Sequence, residues 1–231
     1  MNKIEFFSNC DVTIVHDKSE EWLLNRKRGI GGSDVASIIG ISKYKSTYDL
    51  YMEKKGSAIQ HITNEAIEKG NRMEGPLIDL FFAKHKNYQK ISTKDISLRS
   101  KEHCFMMASL DSAFIDEQGK KCILEIKTTT IQNTKMRKEW GYYDDYKEEY
   151  IELIPQQYYC QVLHYLVVTG FDKAIVYAHL DYAYKDDSEV ITRVINREDV
   201  LSDMEYIVEK EKKFWDDFEN NIPPPFIGFN Y

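Results

Sequence analysis

The sequence predicts an α/β domain in which α-helices flank a mixed β-sheet, and the order of its periodic segments carries that prediction. Strand-like apolar runs occupy 103–116, 121–130, 173–180 and 190–195. A helix is predicted between the second and third of these runs, at 155–168, and helical periodicity dominates both ends of the chain. Strands and helices in this order are typical of α/β folds.

The first part of the chain is predicted to hold two short helices joined by a glycine-rich turn. Residues 19–27 have a helical pattern with Ser19 as the cap, and the turn RGIGGSD follows at 28–34. Either Ser33 or Asp34 is the expected cap of the short helix after the turn.

Three longer helices follow from capping signals and periodicity. Ser46 and Asp49 fit a capping box at the start of one helix. Residues 65–86 repeat apolar side chains at helical spacing, so Pro76 must lie in the first turn or at a kink. An apolar stripe over 200–218 predicts a C-terminal helix that packs inward.

Composition excludes several classes of protein. With 231 residues, 42% of them hydrophobic and 30% charged, we expect one globular domain over 1–231, including the elements at 173–220. No apolar stretch is long enough to cross a bilayer and no export signal is found, so we expect a cytoplasmic protein without membrane contact. The four cysteines and six histidines lack the spacing of a disulfide framework or a zinc site.

The distribution of charge points to local rather than global contact with a polyanion. The net charge is −7, which argues against nucleic-acid binding by bulk positive charge. Residues 1–140 nevertheless carry a net +4, and residues 141–231 a net −11. A polyanion should therefore approach the first part of the chain.

Asp111 and the run Glu125-Ile126-Lys127 are the candidates for chemistry. Side chains alternate along a strand, so Glu125 and Lys127 share one face. If 105–115 pairs with 121–129 as a hairpin, Asp111 can lie beside Glu125. Two neighbouring carboxylates suit Mg²⁺ or Mn²⁺, and the lysine can hold an attacking water or a phosphate oxygen. This is the equipment of metal-assisted phosphodiester hydrolysis. The alternative is a surface hairpin with a cross-strand ion pair.

Glu74 and Gln161 are polar residues on apolar helix faces. Glu74 lies at helical spacing from Leu77 and Phe81, and Gln161 lies on the face of Tyr165. A polar group placed inward needs partners, which a shared metal and water site would provide. The alternative for each residue, and the commoner outcome for one such residue alone, is a boundary side chain bonded to a backbone group.

The glycine-rich turn is a candidate anion site. Its glycines let backbone amides approach an anion, a helix N-terminus follows, and Arg26 could grip a terminal phosphate with two hydrogen bonds. The alternative is an ordinary joint between two helices with Ser33 as a cap.

Five segments resemble, in order, those of the YqaJ-like phage recombinases, which are relatives of lambda exonuclease in the PD-(D/E)xK nuclease superfamily. The segments are RGIGGSDVASIIGISKYKSTYDLYMEKKG (28–56), GNRMEGPLIDLFF (70–82), MASLDSAF (107–114), LEIKTTT (124–130) and IPQQYYCQVLHYLVVTG (154–170). The resemblance covers roughly residues 20–180 and implies a restriction-endonuclease-like fold, with a mixed β-sheet flanked by α-helices.

The resemblance also implies residue roles. It assigns metal binding to Glu74, Asp111, Glu125 and the carbonyl of Ile126, orientation of the water to Lys127, and a place beside the site to Gln161. It assigns a 5′-phosphate pocket to Arg26, Ser33 and Ser109.

The activity that the resemblance implies is digestion of one strand of linear double-stranded DNA from its end, 5′ to 3′, dependent on Mg²⁺ or Mn²⁺ and using two ions. The exposed single strand would feed a phage single-strand annealing protein, and the enzyme could form a homo-oligomer in the cytoplasm of a bacterial host. The sequence departs from relatives in which glycine follows the metal aspartate, since Asp111 is followed by Ser112. An endonuclease on the same scaffold, a binding module without catalysis, and a purely structural protein are the alternatives.

Overall fold

The structure is a computed structural model that describes residues 3–16, 19–56 and 65–226. The α-helices within these ranges are α1 Lys3–Phe6, α2 Glu20–Arg26, α3 Val35–Ile38, α4 Thr47–Lys54, α5 Glu65–Lys84, α6 Thr134–Lys138, α7 Gln156–Thr169 and α8 Leu201–Glu219. The strands are β1 Cys10–Ile14, β2 Ile30–Gly31, β3 Gln89–Ile91, β4 Ile96–Ser100, β5 Met106–Ala108, β6 Ser112–Ile115, β7 Lys121–Ile131, β8 Gly141–Asp144, β9 Glu149–Glu152, β10 Lys173–Tyr182 and β11 Ser188–Asn196.

The main sheet is mixed, as predicted, with the strand order β11-β10-β7-β6-β3. Strands β7 and β10 run parallel, and the other neighbours run antiparallel. The chain returns from β7 to β10 through α7, because parallel neighbours need a crossover connection. The predicted strand–helix–strand order is therefore confirmed.

The structure corrects the prediction of one continuous strand over 103–116. That segment divides into β5, which belongs to a second sheet of order β1-β4-β5-β2, and β6, which belongs to the main sheet. The connection consists of residues 109–111. Both flanks are buried, so hydrophobicity alone could not reveal the change of sheet.

Most predicted helix ends are confirmed by their hydrogen bonds. Ser19 accepts from the amide of Trp22, and Ser46 and Asp49 form the reciprocal capping box. Neither Ser33 nor Asp34, however, caps α3 with its side chain. Instead, the Ser33 hydroxyl accepts a hydrogen bond from Arg26 of α2, and the Asp34 carboxylate accepts one from the amide of Gly31 within the glycine-rich turn.

Helices cover both faces of the main sheet. On one face α5 packs Leu77 and Phe81 against Leu124 of the sheet, and Pro76 lies in the interior of that helix rather than in its first turn. On the other face α7 packs with α8, whose apolar stripe faces inward as predicted. None of the helices in the described ranges is long and apolar enough to cross a lipid bilayer.

Candidate active site

The register of the β6–β7 hairpin brings the two candidate carboxylates together. Ser112 pairs with Leu124, so Asp111, immediately before β6, lies beside Glu125. One carboxylate oxygen of Asp111 accepts a hydrogen bond from the amide of Ile126 at 2.7 Å. The juxtaposition expected from the sequence is present.

Glu125, Lys127 and Gln161 form one hydrogen-bonded network. The Lys127 ammonium donates to Glu125 Oε1 at 2.7 Å and to Gln161 Oε1 at 2.8 Å. The amide of Gln161 donates to Glu125 Oε1 at 2.7 Å and to the Tyr165 hydroxyl at 2.9 Å. Lys127 also lies 4.7 Å from the ring centre of Tyr158. These contacts fix the ammonium at the strand face from which Glu125 projects.

The electrostatics of this cluster favour a bound cation. Burial and the neighbouring Glu125 carboxylate raise the pKa of Asp111 well above its usual value. Burial alone would lower the pKa of Lys127, but the carboxylates of Glu125 and Asp111 outweigh it and raise that pKa. Lys127 is therefore charged, and a divalent cation bound by the two carboxylates would relieve the repulsion that raises the pKa of Asp111.

The donor set fits a hard divalent cation. The second carboxylate oxygen of Glu125 is buried and has no hydrogen-bond partner among the described residues. Glu74, Asp111, Glu125 and Ile126 all line the cavity in front of Lys127, and oxygen donors suit Mg²⁺ or Mn²⁺. Within the described ranges, no three histidine, cysteine, aspartate or glutamate side chains converge closely enough to hold an ion by themselves, so water or a carbonyl oxygen would complete its coordination.

The glycine-rich turn and the end of β5 form a second, smaller pocket of about 40 Å³, lined by Arg26, Ser33 and Ser109. The Arg26 guanidinium donates to the Ser33 hydroxyl at 2.8 Å and lies 4.8 Å from the ring centre of Trp22. Stacking on Trp22 orients the guanidinium, which leaves further donors available for an anion.

The two groups of residues share one cleft. A cavity of about 650 Å³ is lined by Arg26, Ser33 and Ser109 at one end and by Glu74 and Asp111 at the other. The connection 109–111 between the two sheets places Ser109 and Asp111 two residues apart. The change of sheet that sequence analysis did not predict is therefore what joins the pocket to the acidic cluster.

Helix α7 approaches the glycine-rich turn so closely that a side chain at Gly32 would not fit. A Cβ atom built at Gly32 would lie 2.6 Å from Tyr165 Cε1 and 3.0 Å from Gln161 Cγ. Glycine is required here because α7 passes directly against the backbone of the turn.

The sequence matches the YqaJ-like viral recombinase domain over residues 21–172. The chain belongs to this family. The YqaJ-like chain is 33% identical to "Uncharacterized protein YqaJ" of Bacillus subtilis (strain 168) over 199 residues. The aligned region covers 86% of this chain. It spans only 56% of the length of that relative.

Solved structures share the fold of this YqaJ-like domain. The alkaline exonuclease LHK-Exo from Laribacter hongkongensis matches with a TM-score of 0.61 at 19% identity, and its complex with dAMP matches with a TM-score of 0.62 at 20% identity. Both matches cover 88% of this chain and 94% of the LHK-Exo chain. A phage-related exonuclease from Haemophilus somnus 129PT matches with a TM-score of 0.53 at 16% identity, covering 84% and 96%. The predicted restriction-endonuclease-like fold is confirmed.

All the predicted site residues of this YqaJ-like domain line the shared cleft or the cavity that adjoins it at Glu74 and Asp111. Sequence analysis missed the supporting residues, in particular Lys54, whose buried ammonium contacts the glycine-rich turn. A lysine in the last turn of a helix is common for electrostatic reasons, so its position in the sequence carried no signal of this contact.

Proposed function

We propose that this chain is a metal-dependent deoxyribonuclease that digests one strand of linear double-stranded DNA from a 5′-phosphorylated end. The observation that carries the proposal is the single cleft that joins the Arg26 pocket to the carboxylate–lysine cluster of Asp111, Glu125 and Lys127. An anion pocket near a hydrolytic cluster is what an enzyme needs to read an end and cut beside it. An alkaline exonuclease and a phage-related exonuclease have the same fold, which supports the proposal.

In this proposal the cations are held by Glu74, Asp111, Glu125 and the carbonyl of Ile126. Mg²⁺ or Mn²⁺ ions, two of them, supply an acidified water and neutralise charge on the leaving oxygen when bound. The carboxylates and the carbonyl fix the place where the scissile phosphate must lie.

Lys127 orients the attacking water. Its ammonium is a fixed point charge, because Glu125 and Gln161 accept two of its hydrogen bonds and leave one proton for the water or a phosphate oxygen. Gln161 bonds both Lys127 and Glu125 and so fixes the positions of these two side chains relative to each other.

Arg26, Ser33 and Ser109 bind the terminal 5′-phosphate and set the direction of digestion. Attack of water on phosphorus forms a P–O bond and breaks the P–O3′ bond, so the mononucleotide leaves with a 3′-hydroxyl and the shortened strand keeps a 5′-phosphate. Each cut therefore regenerates the group that the pocket recognises, which permits repeated 5′-to-3′ steps.

Membership of a viral recombinase family supports a biological setting for this activity. A YqaJ-like viral recombinase domain would produce single strands for a phage annealing protein, in the cytoplasm of a bacterial host. Assembly into a homo-oligomer and a single domain over 1–231 stay predictions.

The proposal is tested with end-labelled linear duplex DNA in Mg²⁺, with 5′-phosphate or 5′-hydroxyl ends, beside circular duplex. We expect fast release of mononucleotides from 5′-phosphate ends, slower release from 5′-hydroxyl ends, no cutting of circles, and no activity in chelator. Arg26→Gln should remove the preference for the phosphate. Arg28→Gln is the matched control, because Arg28 lies outside the lining of the pocket.

Three results would contradict the proposal. Equal cutting of circular and linear DNA would indicate an endonuclease. DNA binding without cleavage under all metal conditions would indicate a binding module. No DNA binding at all would indicate a structural role for the carboxylate–lysine cluster.

A further inference from the structure

A buried ion pair lies beneath the glycine-rich turn and has no part in the roles described so far. Lys54 of α4 and Asp34 at the end of the turn are 7% and 3% exposed, and Lys54 Nζ lies 2.8 Å from Asp34 Oδ2. Removing two charges from water is costly, so such a pair calls for a physical account.

Both members of the pair are bonded to the turn itself. The Lys54 ammonium donates to the carbonyl of Gly29 at 2.7 Å and to the carbonyl of Arg26 at 3.2 Å. Asp34 Oδ2 accepts from the amide of Gly31 at 2.9 Å. The pair therefore supports, from behind, the turn that contributes Gly31 and Ser33 to the lining of the Arg26 pocket.

The carboxylate of Asp34 opposes anion binding in this pocket. Burial alone would raise the pKa of Asp34, but the charges of Lys54 and Arg26 outweigh it and lower the pKa to about 2. Asp34 is thus ionised and interacts with Arg26. With Lys54 present, the three side chains carry a net charge of one positive unit; without its charge, Arg26 and Asp34 would cancel.

We propose that Lys54 is a positioning residue of the 5′-phosphate pocket, which cancels the charge of Asp34 and so leaves the positive charge of Arg26 available to the phosphate. This inference rests on the proposed function. It identifies Lys54 and Asp34 as determinants of specificity for phosphorylated ends, although neither side chain touches the DNA.

The test compares KM and kcat for 5′-phosphorylated and 5′-hydroxyl duplexes in Lys54→Gln, Asp34→Asn and the double variant. Glutamine keeps an amide donor toward the turn and loses the charge. One unit charge changes the affinity of a phosphate roughly 10 Å away by about tenfold. We expect KM for phosphorylated ends to rise about tenfold in Lys54→Gln, to fall severalfold in Asp34→Asn, and to return near the wild-type value in the double variant.

A merely structural pair would give a different pattern, because every variant would then weaken binding and lower the melting temperature. KM for 5′-hydroxyl ends should change less than twofold throughout, and kcat should be nearly constant. The matched control is Lys55→Gln, which removes the same charge from the adjacent, exposed residue that contacts Phe218 and Asn221 instead of the turn.

The outcomes separate this inference from the proposed function. If the wild-type enzyme does not prefer phosphorylated ends, the proposed pocket itself is wrong. If the wild type prefers them and Lys54→Gln keeps that preference, or the double variant fails to restore it, the role of Lys54 is wrong. If Lys54→Gln does not fold, Asp34→Asn decides, since an unchanged or raised KM for phosphorylated ends overturns the inference.

Discussion

Gly32→Ala tests whether the close approach of α7 to the glycine-rich turn determines the geometry of the active site. The added Cβ would lie 2.6 Å from Tyr165 Cε1, where ordinary contact begins at 3.4 Å, so the ring must shift by about 0.8 Å or the turn must move. The Tyr165 hydroxyl accepts from the Gln161 amide, and Gln161 in turn holds Lys127. A shift of this size carries into the hydrogen bonds that fix the ammonium.

Two magnitudes follow for Gly32→Ala. Overpacking of a tight contact costs about 1–3 kcal/mol of unfolding free energy, which for a chain of this size lowers the melting temperature by roughly 2–12 °C. Misplacement of a catalytic group by about 1 Å costs up to about a hundredfold in rate. We expect kcat on saturating linear duplex to fall between about tenfold and a hundredfold.

The control for Gly32→Ala is the adjacent Gly31→Ala. A Cβ at Gly31 would meet only Asp34 Oδ2, at the ordinary distance of 3.7 Å, so kcat should stay within about twofold of wild type. Thermal unfolding and kcat are measured on the three proteins together. The reasoning would be refuted if Gly32→Ala kept the wild-type kcat and melting temperature. It would also be refuted if both variants lost the same amount of kcat and of melting temperature.

Three further predictions concern buried charge. Lys127→Met should abolish cleavage and also cost about 3–5 kcal/mol of unfolding free energy, because Glu125 is left buried without its counter-ion. Denaturant unfolding measures this cost, and an unchanged unfolding free energy would contradict the prediction. Asp111→Asn should abolish cleavage but raise the melting temperature of the metal-free protein, since it removes a carboxylate whose charged form is opposed by burial and by Glu125; a lower melting temperature would show that the repulsion was misjudged. Burial alone would lower the pKa of His164, but the carboxylate of Glu211 outweighs it and raises that pKa above 6.5. The stability from His164 is therefore complete below pH 6.5 and is lost as pH rises through the raised pKa, by up to about 1.4 kcal/mol per pH unit; denaturant unfolding against pH should show this slope, and His164→Gln should abolish it.

The features that sequence analysis predicted correctly depend on neighbours along the chain. The capping box of Ser46 and Asp49 is set by a spacing of three residues, and the position of Asp111 beside Glu125 follows from one hairpin turn. Local geometry fixes such features, so one sequence suffices to predict them.

The features that sequence analysis missed depend on partners far along the chain. Lys54 contacts Gly29 of the glycine-rich turn, which lies more than twenty residues earlier in the chain. Glu211 interrupts the apolar stripe of α8 because it bonds His164, and these two residues are 47 positions apart. The division of 103–116 between two sheets also depends on the pairing of β5 with β4, and the sequence does not show which strand β5 will pair with. Neither composition nor periodicity carries information about such distant partners.

Helix α7 determines how the two ends of the cleft sit relative to each other. Three of its residues at helical spacing contact different parts of the site: Gln161 bonds Lys127, His164 bonds the carbonyl of Met107 just before Ser109, and Tyr165 packs against the glycine-rich turn. Residues at i, i+3 and i+4 share one face of a helix, so α7 sets the spacing between the Arg26 pocket and the carboxylates. If a nuclease must place the first phosphodiester bond at a fixed distance from a bound 5′-phosphate, this helix face sets that distance. The buried hydrogen bond between His164 and Glu211 then helps to maintain this distance, because it holds α7 against α8 and prevents α7 from rotating about its axis.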